Sequence, residues 1–226
     1  MAIESEFRLR LERLLSRLDV SSDSVVLVHE SEKISKLVSR DYLRILQDVL
    51  SEGTVSILGD CTLNTGADNR DRLSTQERLV LSSGPMLQLM TLQEDCFYVS
   101  HPSLMIASVG KYARYLARHH ELDFPYGPDS VFNDFYGMNT VVLFIGDKHD
   151  LVESKFVYAK RDDAVIRKDV TDSGSELLSY LDYHSDIDAV HRSFFSGNLL
   201  ISEDMGDHVV YGITFKEYIE YLNSQL

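Results

Sequence analysis

Apolar positions in the N-terminal part of the chain switch between helical and strand spacing. Residues 4–18 place a phenylalanine and leucines three or four positions apart, which predicts an amphipathic helix lying on the body of the protein. The continuous apolar run at residues 25–28 predicts a strand buried on both faces. A second amphipathic helix over residues 34–50 is followed by Gly53, and residues 54–58 predict the next strand. This strand–helix–strand order favours parallel pairing.

A similar alternation of short helices and strands continues toward the C-terminus. The further predicted elements are a helix opened by the capping-box spacing of residues 74–77, a helical piece starting at Pro85, a short strand at 97–99, a helical run over 111–118, a strand at 140–145 and a final helix opened by Thr214. We therefore predict one α/β domain over residues 1–226, in which helices flank a mixed central sheet.

The composition bounds the class of protein and of partner. With 226 residues, 44% of them apolar, the chain can bury one sizeable core. Its 36 acidic against 22 basic residues give a net charge of −14, which argues against a nucleic-acid partner, because phosphate backbones bind basic surfaces. The negative charge suits a cationic small-molecule amine, although many proteins carry such charge for solubility alone.

Cysteine usage and hydropathy predict a cytoplasmic protein without a membrane partner. Cys61 and Cys96 have no paired spacing, so neither a disulfide framework nor a zinc site is expected. The N-terminus alternates charge with leucine, unlike a secretory signal, and no apolar stretch is long enough to cross a bilayer. Residues 182–191 are rich in aspartate and histidine, but their spacing matches no standard ligand pattern, so we predict a solvated segment entering a helix rather than a metal site.

Two candidate sites for chemistry stand out. His119 and His120 end the helical run before a turn-rich segment, and a histidine at such a boundary can act as a general base because it titrates near neutrality. A histidine at a helix end also complements the macrodipole, so a structural role stays open. In the polar loop at 59–73, Asp60, Asp68 and Asp71 could contact ammonium groups of an amino sugar, or pair with neighbouring arginines on a solvated surface.

Several motifs occur together in the order that is typical of one family. Residues 120–123 (HELD), then Gly127, Ser130 and an apolar strand ending at Gly146, resemble the central motif of the aminoglycoside 3-N-acetyltransferases. Three upstream segments are also similar to that family in order and spacing: residues 25–31, residues 53–55, and the run from His101-Pro102-Ser103 through Ala107–Gly110.

This resemblance implies a fold, a reaction and a set of site residues. The implied activity is acetyl-CoA-dependent N-acetylation of an aminoglycoside or other amino sugar, with the general base at His120. The oxyanion donors would be main-chain amides or the hydroxyl of Ser130. His29, Ser31 and His101 would line the coenzyme crevice. Glu30 must then point away, because an acid facing a pyrophosphate is unfavourable.

The chain also departs from the family pattern. A second histidine and a glutamate three residues later are typical downstream, but this chain offers Phe156 or Val157, and then Ala159 or Lys160. Two alternatives therefore stay open beside the acetyltransferase. One is an inactive homologue that binds a ligand or partner, and the other is an acyltransferase for a nucleotide-linked amino sugar. A homo-oligomer is compatible with each of these functions.

Overall fold

The computed structural model describes residues 2–31, 33–59, 84–101, 104–118, 126–127, 129–146, 151–159, 165–171, 177–183 and 188–225. Its helices are α1 (Ala2–Arg17), α2 (Lys36–Val49), α3 (Pro85–Met90), α4 (Ala113–Leu116), α5 (Val131–Gly137), α6 (Ser154–Ala159), α7 (Asp188–Ser196) and α8 (Phe215–Gln225). Its strands are β1 (Val25–Glu30), β2 (Thr54–Gly59), β3 (Phe97–His101), β4 (Leu104–Gly110), β5 (Val141–Ile145), β6 (Val165–Thr171), β7 (Leu177–Tyr183), β8 (Ile201–Asp204) and β9 (Val209–Thr214).

Seven of these strands form one mixed sheet in the order β3-β4-β2-β1-β5-β9-β8. The central strand β1 pairs in parallel with β2 on one side and β5 on the other, whereas β4 and β9 add antiparallel. The predicted mixed sheet flanked by helices is confirmed, as is the parallel pairing of β1 and β2. Strands β6 and β7 form a separate antiparallel pair.

The two faces of the main sheet differ in composition. One face packs under α1, α2 and α3 through leucine, valine, isoleucine and methionine. The opposite face packs under α5, α6, α7 and α8 and is strongly aromatic: its fully buried rings are those of Tyr126, Phe132, Phe135, Phe144, Phe156, Phe194, Phe215 and Tyr218. We call these the aliphatic face and the aromatic face. Offset and edge-to-face ring pairs occur on the aromatic face, such as Phe144 with Tyr218 at a centroid distance of 5.6 Å.

Helix α1 covers the edge of the sheet at β8. The Arg10 guanidinium donates to the carbonyl oxygen of Asp204 at 2.8 Å, and that of Arg17 donates to the carbonyl oxygen of Ser202 at 3.1 Å. Arg13 pairs with the carboxylate of Glu203. Since an unpaired strand edge exposes main-chain donors and acceptors, these arginines occupy carbonyl groups that another strand would otherwise bind.

Some elements differ from the sequence-based prediction. The helical run at 111–118 is reduced to the four residues of α4, and β8 and β9 complete the sheet where no strand was expected. Within the described residues, no helix is both long and apolar enough to span a bilayer. The same residues hold no group of three acids, histidines or cysteines suited to a metal ion.

Candidate functional site

β1 is the strand at which the order of the parallel strands changes direction, with β2 on one side and β5 on the other. The connection through α2 leads from β1 to β2 on one side, whereas β5 pairs on the other side, and all three strands run in parallel. In open α/β sheets ligands bind in the crevice outside the carboxyl ends of strands at such a switch point. His29, Glu30 and Ser31 stand at this end of β1, beside Gly146 at the end of β5.

His29 is buried on the aromatic face and bound to an acid. Its Nε2 atom lies 2.6 Å from Oε1 of Glu153, and the hydroxyl of Tyr218 donates to Oε2 of the same carboxylate at 3.1 Å. Glu153 and Tyr218 are both fully buried. The ring of Phe144 lies 4.7 Å from the imidazole, between centroids. Residues from β1, the start of α6 and α8 therefore meet in one buried network.

Burial, and secondly the carboxylate of Glu153, raise the pKa of the Tyr218 phenol well above its usual value. The phenol therefore keeps its proton in neutral solution and stays a hydrogen-bond donor to Glu153.

Ser31 continues β1 into the following loop. Its main-chain N–H donates to the carbonyl oxygen of Ile145 at 2.9 Å, and its own carbonyl accepts from Ile34 at 3.1 Å. A Cβ atom at Gly146 would lie 2.7 Å from the Cβ of Ser31, and Gly146 has a φ of +97°. Only glycine allows this close approach between the ends of β1 and β5.

Glu30 points to the aliphatic face, away from His29. Its carboxylate accepts hydrogen bonds from the hydroxyl of Ser39 and from the main-chain N–H of Met86, the latter at 2.7 Å. The N-cap residue of α3 is Gly84, which offers no side chain, so Glu30 caps this helix from outside. Glu30 therefore turns away from His29, and a coenzyme on the His29 side of β1 stays a prediction.

His101 lies at the same edge of the sheet as His29, with two strands, β2 and β4, between them. Strand β3 runs parallel to β1, because β3 pairs antiparallel with β4 and β4 antiparallel with β2. His101 is buried, and its neighbour on the same side of the strand, Val99, belongs to the aromatic face. Three strand spacings separate β1 from β3, which amounts to roughly 14 Å.

Ser130 is the N-cap of α5 and is buried, but its Oγ atom has no hydrogen-bond partner among the described residues. A short turn joins the other end of α5 to the beginning of β5. The remaining predicted site residues, His120, Asp60, Asp68 and Asp71, lie outside the described residues, as does His119.

Residues 151–159 explain one departure from the family pattern and contain one buried acid, Glu153, that was not predicted from the sequence. Phe156 is fully buried and its ring lies 6.1 Å from that of Phe132, so this position serves the aromatic core. Glu153 supplies a buried acid in the same segment, and nothing in the sequence pattern identified it. Its only local signal is an acid placed directly after the two buried apolar residues Leu151 and Val152.

Comparison with known proteins adds the family. The model of the aminoglycoside 3-N-acetyltransferase family matches residues 82–225, which is more than half of the chain. The chain belongs to this family. None of the curated protein sequences matches it.

Solved structures support the fold of a family member at low sequence identity. The apoenzyme of aminoglycoside acetyltransferase AAC(3)-IVa is 16% identical, with a TM-score of 0.74 over 99% of this chain and 88% of that one. AAC-IIIb, solved as a binary complex with CoASH, is 15% identical, with a TM-score of 0.70 over 96% of this chain and 95% of its own. AAC-VIa bound to sisomicin is 15% identical, with a TM-score of 0.70 over 98% and 96%.

Proposed function

We propose that this family member is an acetyl-CoA-dependent N-acetyltransferase acting on an amine of an aminoglycoside or another amino sugar. The observation that carries the proposal is the switch point at the carboxyl ends of β1 and β5, where His29 and Ser31 lie in a sheet with this family's fold. AAC-IIIb, solved with CoASH, has the same architecture over nearly its whole length.

The residues at this edge fit coenzyme A as a co-substrate, with His29, Ser31 and His101 as its proposed lining. Glu30 is the acid nearest to His29 along β1, and it directs its carboxylate to the opposite face of the sheet. A phosphate-bearing ligand at the crevice therefore does not meet that negative charge. The coenzyme would supply the acetyl group as a thioester, which an uncharged amine can attack.

His120 is the proposed general base and Ser130 the proposed oxyanion donor. An amine is mostly protonated at neutral pH and must lose a proton before it attacks, and a histidine titrates in the range needed to accept it. Negative charge then develops on the acetyl oxygen, and donors fixed in advance stabilise it. The hydroxyl of Ser130 is buried and has no partner among the described residues, which supports this role. Asp60, Asp68 and Asp71 would hold the ammonium groups of the acceptor.

Acetyl transfer to a panel of amines tests the proposal directly. The panel comprises sisomicin, simpler amino sugars such as glucosamine, and a nucleotide-linked amino sugar, each supplied with acetyl-CoA. We expect thiol release that depends on the amine, together with a product heavier by one acetyl group. The nucleotide-linked amino sugar distinguishes an acyltransferase for that class of acceptor from an aminoglycoside acetyltransferase. Release that is equal with and without every amine would reject the transferase function.

One observation favours a second candidate, a ligand-binding homologue without catalysis. Where the family typically has its downstream histidine, the described positions are the buried apolar residues Phe156 and Val157, and Ala159 follows at one of the two glutamate positions. This candidate predicts that coenzyme A raises the melting temperature by mass action while no amine is acetylated.

A further inference from the structure

Glu153 is fully buried, where an ionised carboxylate costs free energy, and side chains on two sides bind it. A carboxylate removed from water loses its hydration, and only good partners compensate for that loss. Both oxygens of Glu153 have such partners, the imidazole of His29 at 2.6 Å and the phenol of Tyr218 at 3.1 Å. These partners come from the central strand and from the last helix, 124 and 65 residues away in sequence.

The network fixes the orientation of His29. Because an ionised carboxylate only accepts hydrogen bonds, a bond to it favours the His29 tautomer with hydrogen on Nε2. The Tyr218 hydroxyl in turn fixes the carboxylate, and the Phe144 ring limits rotation of the imidazole from its side. Pairs of this kind, in which an acid sets the tautomer and direction of a histidine, are a common way to organise a ligand site.

The position of the network links it to the crevice. His29 is the last buried residue of β1 on the aromatic face, and Ser31 follows two residues later in the loop. The bond to Glu153 therefore joins the end of β1 to α6 and α8 through the imidazole. An apolar side chain in place of Glu153 could not accept a hydrogen bond from the ring, and an amide would accept it without the charge.

We propose that Glu153 is a positioning residue which, acting through His29, holds the end of β1 in the arrangement that receives coenzyme A, with Tyr218 orienting its carboxylate. The inference rests on the proposed function, because it assigns the crevice to this co-substrate. Glu153 itself touches His29 and Tyr218, and its effect on the ligand is indirect.

The experiment measures coenzyme A affinity by calorimetry and the free energy of unfolding by urea denaturation on the full chain. The variants are Glu153→Gln, which keeps the shape but not the charge, and Tyr218→Phe, which removes only the phenol hydroxyl. Glu220→Gln makes the same chemical change at an exposed position of α8 and serves as the control. We expect Glu153→Gln to weaken coenzyme A binding roughly 10-fold to 100-fold, as for loss of a charged hydrogen bond. We expect Tyr218→Phe to weaken binding in the same direction by a smaller factor, and Glu220→Gln to leave it unchanged.

A second readout follows the histidine itself. Long-range proton–nitrogen spectra of the imidazole report which ring nitrogen of His29 carries hydrogen. We expect a hydrogen-bonded Nε2–H in the parent, which Glu153→Gln shifts and Glu220→Gln does not. A purely structural acid would lower the free energy of unfolding without changing either the coenzyme A dissociation constant of the folded protein or the His29 spectrum.

The possible failures are distinguishable. A parent that binds coenzyme A, with the same affinity in Glu153→Gln and Tyr218→Phe, overturns the role of Glu153 alone. If Glu153→Gln does not fold, an unchanged affinity in Tyr218→Phe together with an unchanged His29 spectrum overturns it as well. A parent that does not bind coenzyme A at millimolar concentration overturns the proposed function, and this inference with it.

Discussion

Buried polar side chains on and beside the aromatic face include groups with partners and groups without any among the described residues. His29, Glu153 and Tyr218 satisfy one another. Three hydroxyl oxygens have no partner in the described part of the chain: those of Ser130, Thr140 and Ser154. A buried hydroxyl without a partner costs free energy, so each needs a separate reason for being there. Contact with a ligand is such a reason for Ser130, because it is the one that the family resemblance places in the site.

A pair of matched substitutions tests this reason. Ser130→Ala and Thr140→Val each remove a hydroxyl that has no partner in the part of the chain that the structure describes, and Thr140 lies at the opposite end of β5 from Gly146. Both should leave the free energy of unfolding nearly unchanged or slightly higher. Only Ser130→Ala should lower turnover, by about 10²–10³-fold if it removes an oxyanion donor. Steady-state kinetics and urea denaturation measure the two effects, and equal turnover in both variants would exclude Ser130 as a donor.

The choice of His120 over His119 is a second prediction at the residue scale. If His120 is the general base, His120→Ala should lower turnover roughly 10²–10⁴-fold with little effect on coenzyme A affinity, whereas His119→Ala should be mild. The activity of the parent should fall on acidification through the range where a histidine gains its proton, and His120→Ala should lose that dependence. Small and equal effects of the two substitutions would remove the assignment.

Individual residues were predictable only where neighbours in the sequence define them. The end of β1, and with it His29, Glu30 and Ser31, follows from one continuous apolar run. Glu153 could not be identified in this way, because both of its partners come from distant parts of the chain. In the sequence, an acid before a short helix gives the same pattern whether its side chain faces water or the core.

Among the secondary-structure elements, close main-chain approaches decide where glycine is required. Gly110 ends β4 with a φ of +117°, and a Cβ atom there would lie 2.3 Å from the carbonyl oxygen of Gly53. Gly137 ends α5, and a Cβ atom there would meet no described residue within 4 Å. These two positions separate a required glycine from a replaceable one.

We therefore predict opposite effects of the same substitution. Gly110→Ala should lower the free energy of unfolding by about 2–3 kcal/mol, because alanine is strained at positive φ and also collides with the adjoining strand. Gly137→Ala should be neutral or raise it by up to about 1 kcal/mol, since alanine restricts the unfolded chain and suits a helix. Urea denaturation gives both values. A loss of stability in Gly137→Ala as large as that in Gly110→Ala would contradict the packing described at these two sites.

The cap that Glu30 provides for α3 predicts a dependence on pH. Burial raises the pKa of Glu30 in the folded protein, although its bonds from Ser39 and Met86 oppose that shift. The folded state then holds the proton more tightly than the unfolded state. The contribution of this group to stability is therefore complete below the ordinary glutamate pKa, near 4.3, and is lost as the pH rises through the raised value.

Comparing the parent with Glu30→Gln isolates that contribution. The free energy of unfolding of the parent, minus that of the variant, should decrease as the pH rises from about 4 toward neutrality. Glu94→Gln, at an exposed position, should show no such trend. Urea denaturation at several pH values measures both differences, and a difference that grows with pH would show that the pKa is lowered instead.

Among the strands of the main sheet, the sequence predicts the buried ones better than the edge strand β8 and its neighbour β9. Strands β1, β2 and β5 are almost wholly buried, so their apolar runs identify them. β8 alternates half-buried and exposed positions. It contains Ser202, Glu203 and Asp204, a composition that is typical of a loop. The neighbouring strand β9 contains Gly212, which leaves space for Leu18, the residue after α1. β8 depends on contacts with α1, and β9 depends on its contact with Leu18, and local propensity contains neither.

For the whole molecule, the dominant property is its net charge of −14. A negative potential attracts a polycationic acceptor, and salt screens this attraction. If Asp60, Asp68 or Asp71 binds the acceptor, replacing each by asparagine should raise the Michaelis constant for the amine and leave coenzyme A affinity unchanged. The effect should shrink as ionic strength rises. Unchanged kinetics in all three variants would assign these acids to the solvated surface.

The unequal faces of the sheet have a spectroscopic consequence. The chain has no tryptophan, and among the described residues every fully buried tyrosine or phenylalanine ring except that of Tyr42 lies on the aromatic face. Near-ultraviolet circular dichroism therefore reports chiefly the packing of the aromatic face, whereas far-ultraviolet signals report both faces. A perturbation confined to the aliphatic face would change the far-ultraviolet signal and leave the near-ultraviolet signal almost unchanged. The two wavelength ranges can therefore show which face of the sheet opens first.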